Sequence, residues 1–446
     1  MSYQITITPR EVDTVLKKLI LKDGYDLTLD LAKSHGVYMY DSKYERELLD
    51  FFTCFASLPI GYNHPKMISD AIFKENLLLA ALSNPSNSDV YTTQYANFVK
   101  TFSRVAVPSY LKYAFFISGG ALAVENAIKV AMDWKVQKNF QKGYRKEVGT
   151  RVIHFEEAFH GRTGYTMSLT NTDPAKVRYF EKFDWPRVLN PKIVFPFSDE
   201  NHEDLLRREA LSIAQIKQAF RQYPDEICSI VIEPIQAEGG DNHFRREFFE
   251  TLRQLCDENE CILIYDEVQT GVGLTGKFWA HEHFGEKARP DIVCFGKKMQ
   301  VCGIIVSERI DEIETNCFKV PSRINSTWGG NLADMVRADK VLQIIEEDGL
   351  VNQVEHNGNY LIEQLSTVAA SHPGVSNVRG RGLMCAIDLP TSEQRNQFIK
   401  KGLEQNIMFL GCAQKTVRFR PALITEKQDI DKAIVAMDKI LSEIEA

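Results

Sequence analysis

Two short apolar runs, each closing on charged residues, restrict this chain more than any other feature. Residues 262–266 read Ile-Leu-Ile-Tyr-Asp, and residues 291–298 read Asp-Ile-Val-Cys-Phe-Gly-Lys-Lys. Apolar runs of this length, bounded by polar residues and glycine, suit strands covered on both faces. Asp266 and the lysine pair then fall at strand C-termini, where open α/β sheets bind ligands. An acid and a lysine facing one ligand suggest pyridoxal phosphate. That cofactor needs a lysine for its Schiff base and an acid beside its pyridine nitrogen. Adjacent lysines point different ways, so at most one of Lys297 and Lys298 can serve.

The flanking sequence repeats the pattern. Strand-like runs at 111–118, 150–154 and 227–233 alternate with helical spacing at 122–131, 203–221 and 247–259. That alternation predicts an α/β fold with a mainly parallel, doubly wound sheet. Beyond residue 326, helices at 332–347, 352–370, 392–405 and 427–444 alternate with short strands at 375–379, 383–389 and 417–420. They predict a smaller α+β domain. Near the N-terminus, residues 9–23 read as a helix and 26–52 as a small antiparallel meander. The expected division is 1–60 as a segment packing with the small domain, 61–325 as the large cofactor-binding domain, and 326–446 as the small domain, since chain ends often lie close together.

Composition narrows the function classes. A formal net charge of -7 over 446 residues carries no nucleic-acid signature. No apolar run is long enough for a membrane span. The N-terminus lacks the basic and apolar regions of a signal peptide. Nine cysteines without CxxC or Cys/His spacing predict no metal site and reduced thiols in the cytoplasm. Cys261, Cys294 and Cys302 read as core packing.

Gly119-Gly120-Ala121 opens a helical stretch with little side chain. Backbone N–H groups at such a start bind phosphate, aided by the helix dipole. Asp266 reads as the partner of a protonated pyridine nitrogen, and Gln269 as a donor to the ring oxygen. Apolar residues flank the lysine pair on both sides. They favour burial of one amine, which would lower its proton affinity and make it a nucleophile.

These motifs together resemble the class III (ω-amino acid) aminotransferases, pyridoxal-phosphate enzymes of fold type I. The matching stretches are Gly-Gly-Ala-Leu-Ala-Val-Glu-Asn-Ala (119–127), Phe-His-Gly-Arg-Thr-Gly-Tyr-Thr (159–166), Glu-Pro-Ile-Gln-Ala-Glu-Gly-Gly (233–240), Tyr-Asp-Glu-Val-Gln-Thr-Gly (265–271), Gly-Lys-Lys-Met-Gln-Val-Cys-Gly (296–303) and Asn-Ser-Thr-Trp-Gly-Gly-Asn (325–331). The resemblance implies that Lys298 forms the Schiff base, preferred to Lys297 for its distance to Gly303. It implies that Asp266 pairs with the pyridine nitrogen, Gln269 contacts the ring oxygen, and Phe159 stacks on the ring. Gly120 and Ala121 would hold the phosphate by backbone, and Glu233 would shape the pocket near Asp266. Thr327 would reach the phosphate of a neighbouring subunit, making the active unit a homodimer with its site at the interface. The phosphate turn departs from the family's usual Ser-Gly-Thr, so one hydroxyl contact is lost.

Several of these stretches are similar to the branch of the family that acts on the ε-amine of lysine. That branch implies transfer from L-lysine to 2-oxoglutarate by a ping-pong cycle, giving 2-aminoadipate 6-semialdehyde and L-glutamate. Ornithine or 4-aminobutyrate is the alternative donor. Such a pocket must be neutral near the reacting carbon for one substrate and cationic for the other. A glutamate that masks and unmasks an arginine meets both needs. The resemblance puts Glu238 and Arg420 in that role, with Arg162 holding the distal carboxylate and Asn325 beside the substrate.

Overall fold

The computed structural model describes residues 3–445. Its centre is a seven-stranded sheet whose strands, from one edge to the other, are Leu111–Ile117, Cys302–Ser307, Ile292–Phe295, Ile262–Asp266, Ile227–Ile232, Arg151–Phe155 and Arg187–Val188. The last five pair in parallel. Cys302–Ser307 runs antiparallel to both of its neighbours. The mainly parallel, doubly wound sheet expected from the sequence is therefore present. In the sequence the antiparallel strand shows only as an apolar flank of the lysines. Gly303 lets it pack closely, because a Cβ there would lie 2.3 Å from the carbonyl oxygen of Phe115.

Both faces of the sheet are covered. On one, helix Gly120–Gln141 buries Val124, Ala127, Ile128 and Ala131 against Val152, Ile264 and Ile292. Those positions recur at helical spacing, so one stripe of the helix meets the sheet. On the other, helix Arg246–Glu258 buries Phe248, Phe249 and Leu252 against Leu263 and Tyr265. Full burial of such side chains stabilises the fold by about 1.5–3 kcal/mol each. The register sets Asp266 opposite Cys294, which brings the ends of the two central strands side by side.

Towards the C-terminus, Ser376–Arg381, Met384–Asp388, Thr416–Phe419 and Leu410–Cys412 form a four-stranded antiparallel sheet. A third sheet joins the two ends of the chain. Tyr38–Asp41 pairs antiparallel with Arg46–Asp50, and Ile407–Met408 adds in parallel to the latter. The helix expected over 9–23 is shorter, at Val12–Leu16. Leu19 and Leu21 are exposed, and helical spacing with no surface to pack on does not hold further turns.

Candidate active site

A cavity of about 620 Å³ opens where the central strands end. Gly120, Ala121, Phe159, Glu233, Glu238, Asp266, Val268, Gln269, Lys297 and Cys302 line it. Its size suits a small molecule or cofactor. Seven of the residues singled out from sequence thus meet in one place. Cys261 and Cys294 are buried, and Cys302, expected in the core, packs against its edge and also lines the cavity.

Asp266 is held as an acceptor. His160 Nδ1 lies 2.8 Å from Asp266 Oδ2, and the backbone N–H of Val268 donates to Oδ1 at 3.1 Å. Burial alone would push the His160 imidazole down, but its bond to Asp266, with the charges of Asp266 and Glu233, outweighs that and raises its pKa. His160 had no assigned role in the sequence, although it stands inside the 159–162 motif. Glu233 accepts from the backbone N–H groups of Phe159 and Ala237, both at 3.0 Å. Burial pushes its carboxyl up to about 7, with Asp266 adding to the rise and His160 opposing it.

The two lysines are placed the other way round from the expectation. Lys298, expected to be the reactive residue, turns away from the cavity and donates to the backbone oxygen of Gln269 at 2.6 Å. Lys297 lines the cavity in its place. The cause is the backbone. Residues Lys297–Met299 form one 3-10 turn after Gly296, and Lys297 sits at φ +47°. Consecutive side chains on so tight a turn diverge, and the left-handed conformation aims the first one into the cavity. A non-glycine residue held there costs about 1–2 kcal/mol, a strain often found at working sites. Burial pushes the Lys297 amine down to about 8, with Arg418 and Arg420 adding to the fall and Asp266 and Glu233 opposing it.

The glutamate–arginine pair also changes. Glu238 Oε2 accepts from Arg418 at 2.6 Å, not from Arg420. Arg420 is fully buried and pairs with the equally buried Asp241. The two arginines follow one another with the period-2 repeat of a strand, and both reach Gln269 Oε1, at 3.3 Å from Arg418 and 3.2 Å from Arg420. With the amide oxygen so engaged, the amide N–H₂ of Gln269 is the end left to serve the cavity. Three other expected residues do not line the cavity. Arg162 is exposed directly after Gly161, which does line it. Asn325 and Thr327 are exposed on a separate loop.

Helix Gly120–Gln141 begins at the cavity with no side-chain cap, leaving its first N–H groups for a ligand. A Cβ on Gly120 would meet Val268 Cγ1 at 2.9 Å, so only glycine lets that backbone settle beside the cavity wall. An anion site, a hydrogen-bonded carboxyl at a strand end and an amine of lowered pKa around one cavity are what a pyridoxal-phosphate enzyme of fold type I requires. The chain belongs to the class III aminotransferases, whose family model (Aminotransferase class-III) matches residues 20–441. It is 48% identical to the L-lysine-epsilon aminotransferase of Mycobacterium tuberculosis strain H37Rv, covering 97% of this chain and 96% of the relative. It is 46% identical to the protein of the same name from Streptomyces clavuligerus, over 96% and 93% of the two chains. A solved lysine aminotransferase from M. tuberculosis superposes with a TM-score of 0.96 at 47% identity, over 98% of this chain and all of that one. The enzyme is therefore a pyridoxal-phosphate-dependent transaminase acting on small molecules. No helix among the described residues is long and apolar enough to cross a membrane.

Proposed function

We propose that this enzyme transfers the ε-amine of L-lysine to 2-oxoglutarate, giving 2-aminoadipate 6-semialdehyde and L-glutamate. The observation that carries this reading is the Glu238–Arg418 pair at the cavity wall. While paired, the arginine is masked and the cavity accepts the uncharged methylenes next to a terminal amine. When Glu238 moves aside, Arg418 can take the carboxylate that 2-oxoglutarate carries next to its reacting carbon. The choice of lysine as donor is supported by relatives named for lysine at nearly half identity along the whole chain.

Pyridoxal phosphate supplies the aldehyde carbon that receives the amine and a ring that withdraws electrons from the neighbouring carbon. Gly120 and Ala121 would hold its phosphate by backbone, Asp266 its ring nitrogen, Gln269 its ring oxygen and Phe159 its face. Lys297, rather than Lys298, would attach it. A lysine amine with its pKa near 8 has a sizeable uncharged fraction near neutral pH. In that form Lys297 Nζ would take the proton from the carbon bearing the transferred amine and deliver it, within the same half-reaction, to the cofactor carbon that receives the amine; in the other half-reaction it would carry a proton the opposite way. Arg162 would hold the distal carboxylate of either substrate.

The active unit in this reading is a homodimer, with Asn325 and Thr327 serving the partner's site. Two features support it. Thr327 is exposed, and Trp328 beside it is half exposed. Ser88 donates to the backbone of Ser326, and Asn87 to that of Gly330, tying this loop to a segment with exposed Leu78, Leu79, Leu82, Val90 and Tyr91. Exposed large apolar side chains gathered in one stretch of the chain suit an interface. All nine cysteines are free, which suits a cytoplasmic enzyme.

A donor panel with 2-oxoglutarate, monitored by glutamate formation, tests the substrate. L-Lysine should give the highest kcat/KM. A higher value for ornithine or 4-aminobutyrate would replace lysine in this assignment.

A further inference from the structure

Glu238 is held from two sides. Oε2 faces Arg418 at the cavity wall, and Oε1 accepts from Lys176 Nζ at 2.7 Å. Lys176 ends the one-turn helix Pro174–Lys176, whose start is fixed by Asp173 accepting from the N–H of Ala175 at 2.9 Å. Its ammonium also contacts Thr172 Oγ1 at 3.3 Å and lies 5.2 Å from the centre of the Phe159 ring. A cation over an aromatic face is attracted to it, so the ammonium has reason to stay at the rim of the cavity. Burial pushes the Glu238 carboxyl up, but Arg418 and Lys176 outweigh burial and keep it ionised.

We propose that Lys176 is a positioning residue for the acceptor half-reaction, the counter-charge that keeps Glu238 paired after it releases Arg418. The idea rests on the gate described above and adds its outer half. An ionised carboxylate of which three-quarters is shielded from water cannot give up its only cation without a heavy desolvation penalty. Here it has a second cation already in contact on the side away from the arginine. Glu238 can therefore rotate about its own side-chain bonds, keep one ion pair, and free Arg418 for a substrate carboxylate. Nothing in the sequence around 174–176 marks this lysine, because the loop meets Glu238 only in the folded chain.

The test uses the loaded enzyme and the variants Lys176→Met, Lys176→Gln, Lys176→Arg and Glu238→Ala. Each half-reaction is followed in single turnover, with lysine as donor and 2-oxoglutarate as acceptor. Binding of glutarate, an unreactive dicarboxylate, is measured by calorimetry. Thermal unfolding confirms that each variant is folded. Lys176→Met and Lys176→Gln should weaken 2-oxoglutarate and glutarate binding by roughly tenfold, with the lysine half-reaction changing by less than about threefold. Lys176→Arg should restore most of the loss. Glu238→Ala should show the reverse asymmetry, impairing the lysine side more. Equal loss on both sides, or unchanged or tighter acceptor binding without Lys176, would overturn the proposal. If Glu238→Ala shows its asymmetry while the Lys176 variants do not, only the outer half is wrong. If Glu238→Ala shows none, the gate and this extension fall together.

Discussion

Arg418 and Arg420 stand two residues apart at the end of one strand and hold different acids, Arg418 taking Glu238 and Arg420 taking Asp241. In the first pair the acid lines the cavity and is partly exposed, while the arginine is buried behind it. In the second, both partners are shut away from water. Neighbours of the same type therefore do different work. Breaking a buried pair leaves one charge uncompensated, which costs about 3–5 kcal/mol. Asp241→Ala should lower the unfolding free energy by that amount, measured in denaturant. Glu238→Ala should lower it by far less.

Arg418→Met should separate the two substrates. A guanidinium-to-carboxylate contact contributes about 1.5–3 kcal/mol, so the KM for 2-oxoglutarate should rise roughly ten- to hundredfold. The KM for lysine should change little, because that substrate meets Arg418 only in its masked state. Arg420→Met should lose stability as Asp241→Ala does. Steady-state kinetics with each substrate varied in turn checks both outcomes.

Glu233 makes stability depend on pH. Its carboxyl ionises near 4.5 in an unfolded chain and near 7 in the folded, cofactor-free protein. Between those values the folded state holds the extra proton, so stability falls as pH rises through this window. The stabilisation is fully present below about 4.5 and lost above about 7. At 1.36 kcal/mol per pKa unit the change is about 3 kcal/mol. Glu233→Gln cannot titrate and should flatten that fall. Cofactor-free wild type and variant, unfolded in urea at several pH values between 4 and 8, should differ increasingly in the variant's favour.

Much of this was legible from the sequence. Runs 262–265 and 292–295 are apolar on every residue, as strands covered on both faces must be. Their polar ends pointed to Asp266 and Gln269, the glycine turn pointed to Gly120, and the family resemblance added Phe159 and Glu233. What the sequence hid was direction. Lys297 and Lys298 are chemically identical and adjacent, and only the positive φ of Lys297 decides which one faces the cavity. Arg418 and Arg420 share the period of a strand, so pattern alone could not say which meets Glu238. His160 stood in a noted motif, but its bond to Asp266 spans 106 positions and has no local signature. Lys176 was invisible for the same reason.

Lys298→Ala should be a stability variant. Its buried amine donates to the partly buried backbone oxygen of Gln269, and losing a hydrogen bond of that kind costs about 1 kcal/mol. The variant should still bind pyridoxal phosphate and retain activity where it stays folded. Thermal unfolding and absorbance of the bound cofactor check this.

The most direct measurement is borohydride reduction of the enzyme loaded with pyridoxal phosphate, followed by peptide mass mapping of the 296–303 segment. The phosphopyridoxyl group should lie on Lys297, and Lys297→Ala should abolish the labelled peptide. A label on Lys298, or a label that survives Lys297→Ala at that neighbour, would contradict the assignment of Lys297 to the cofactor.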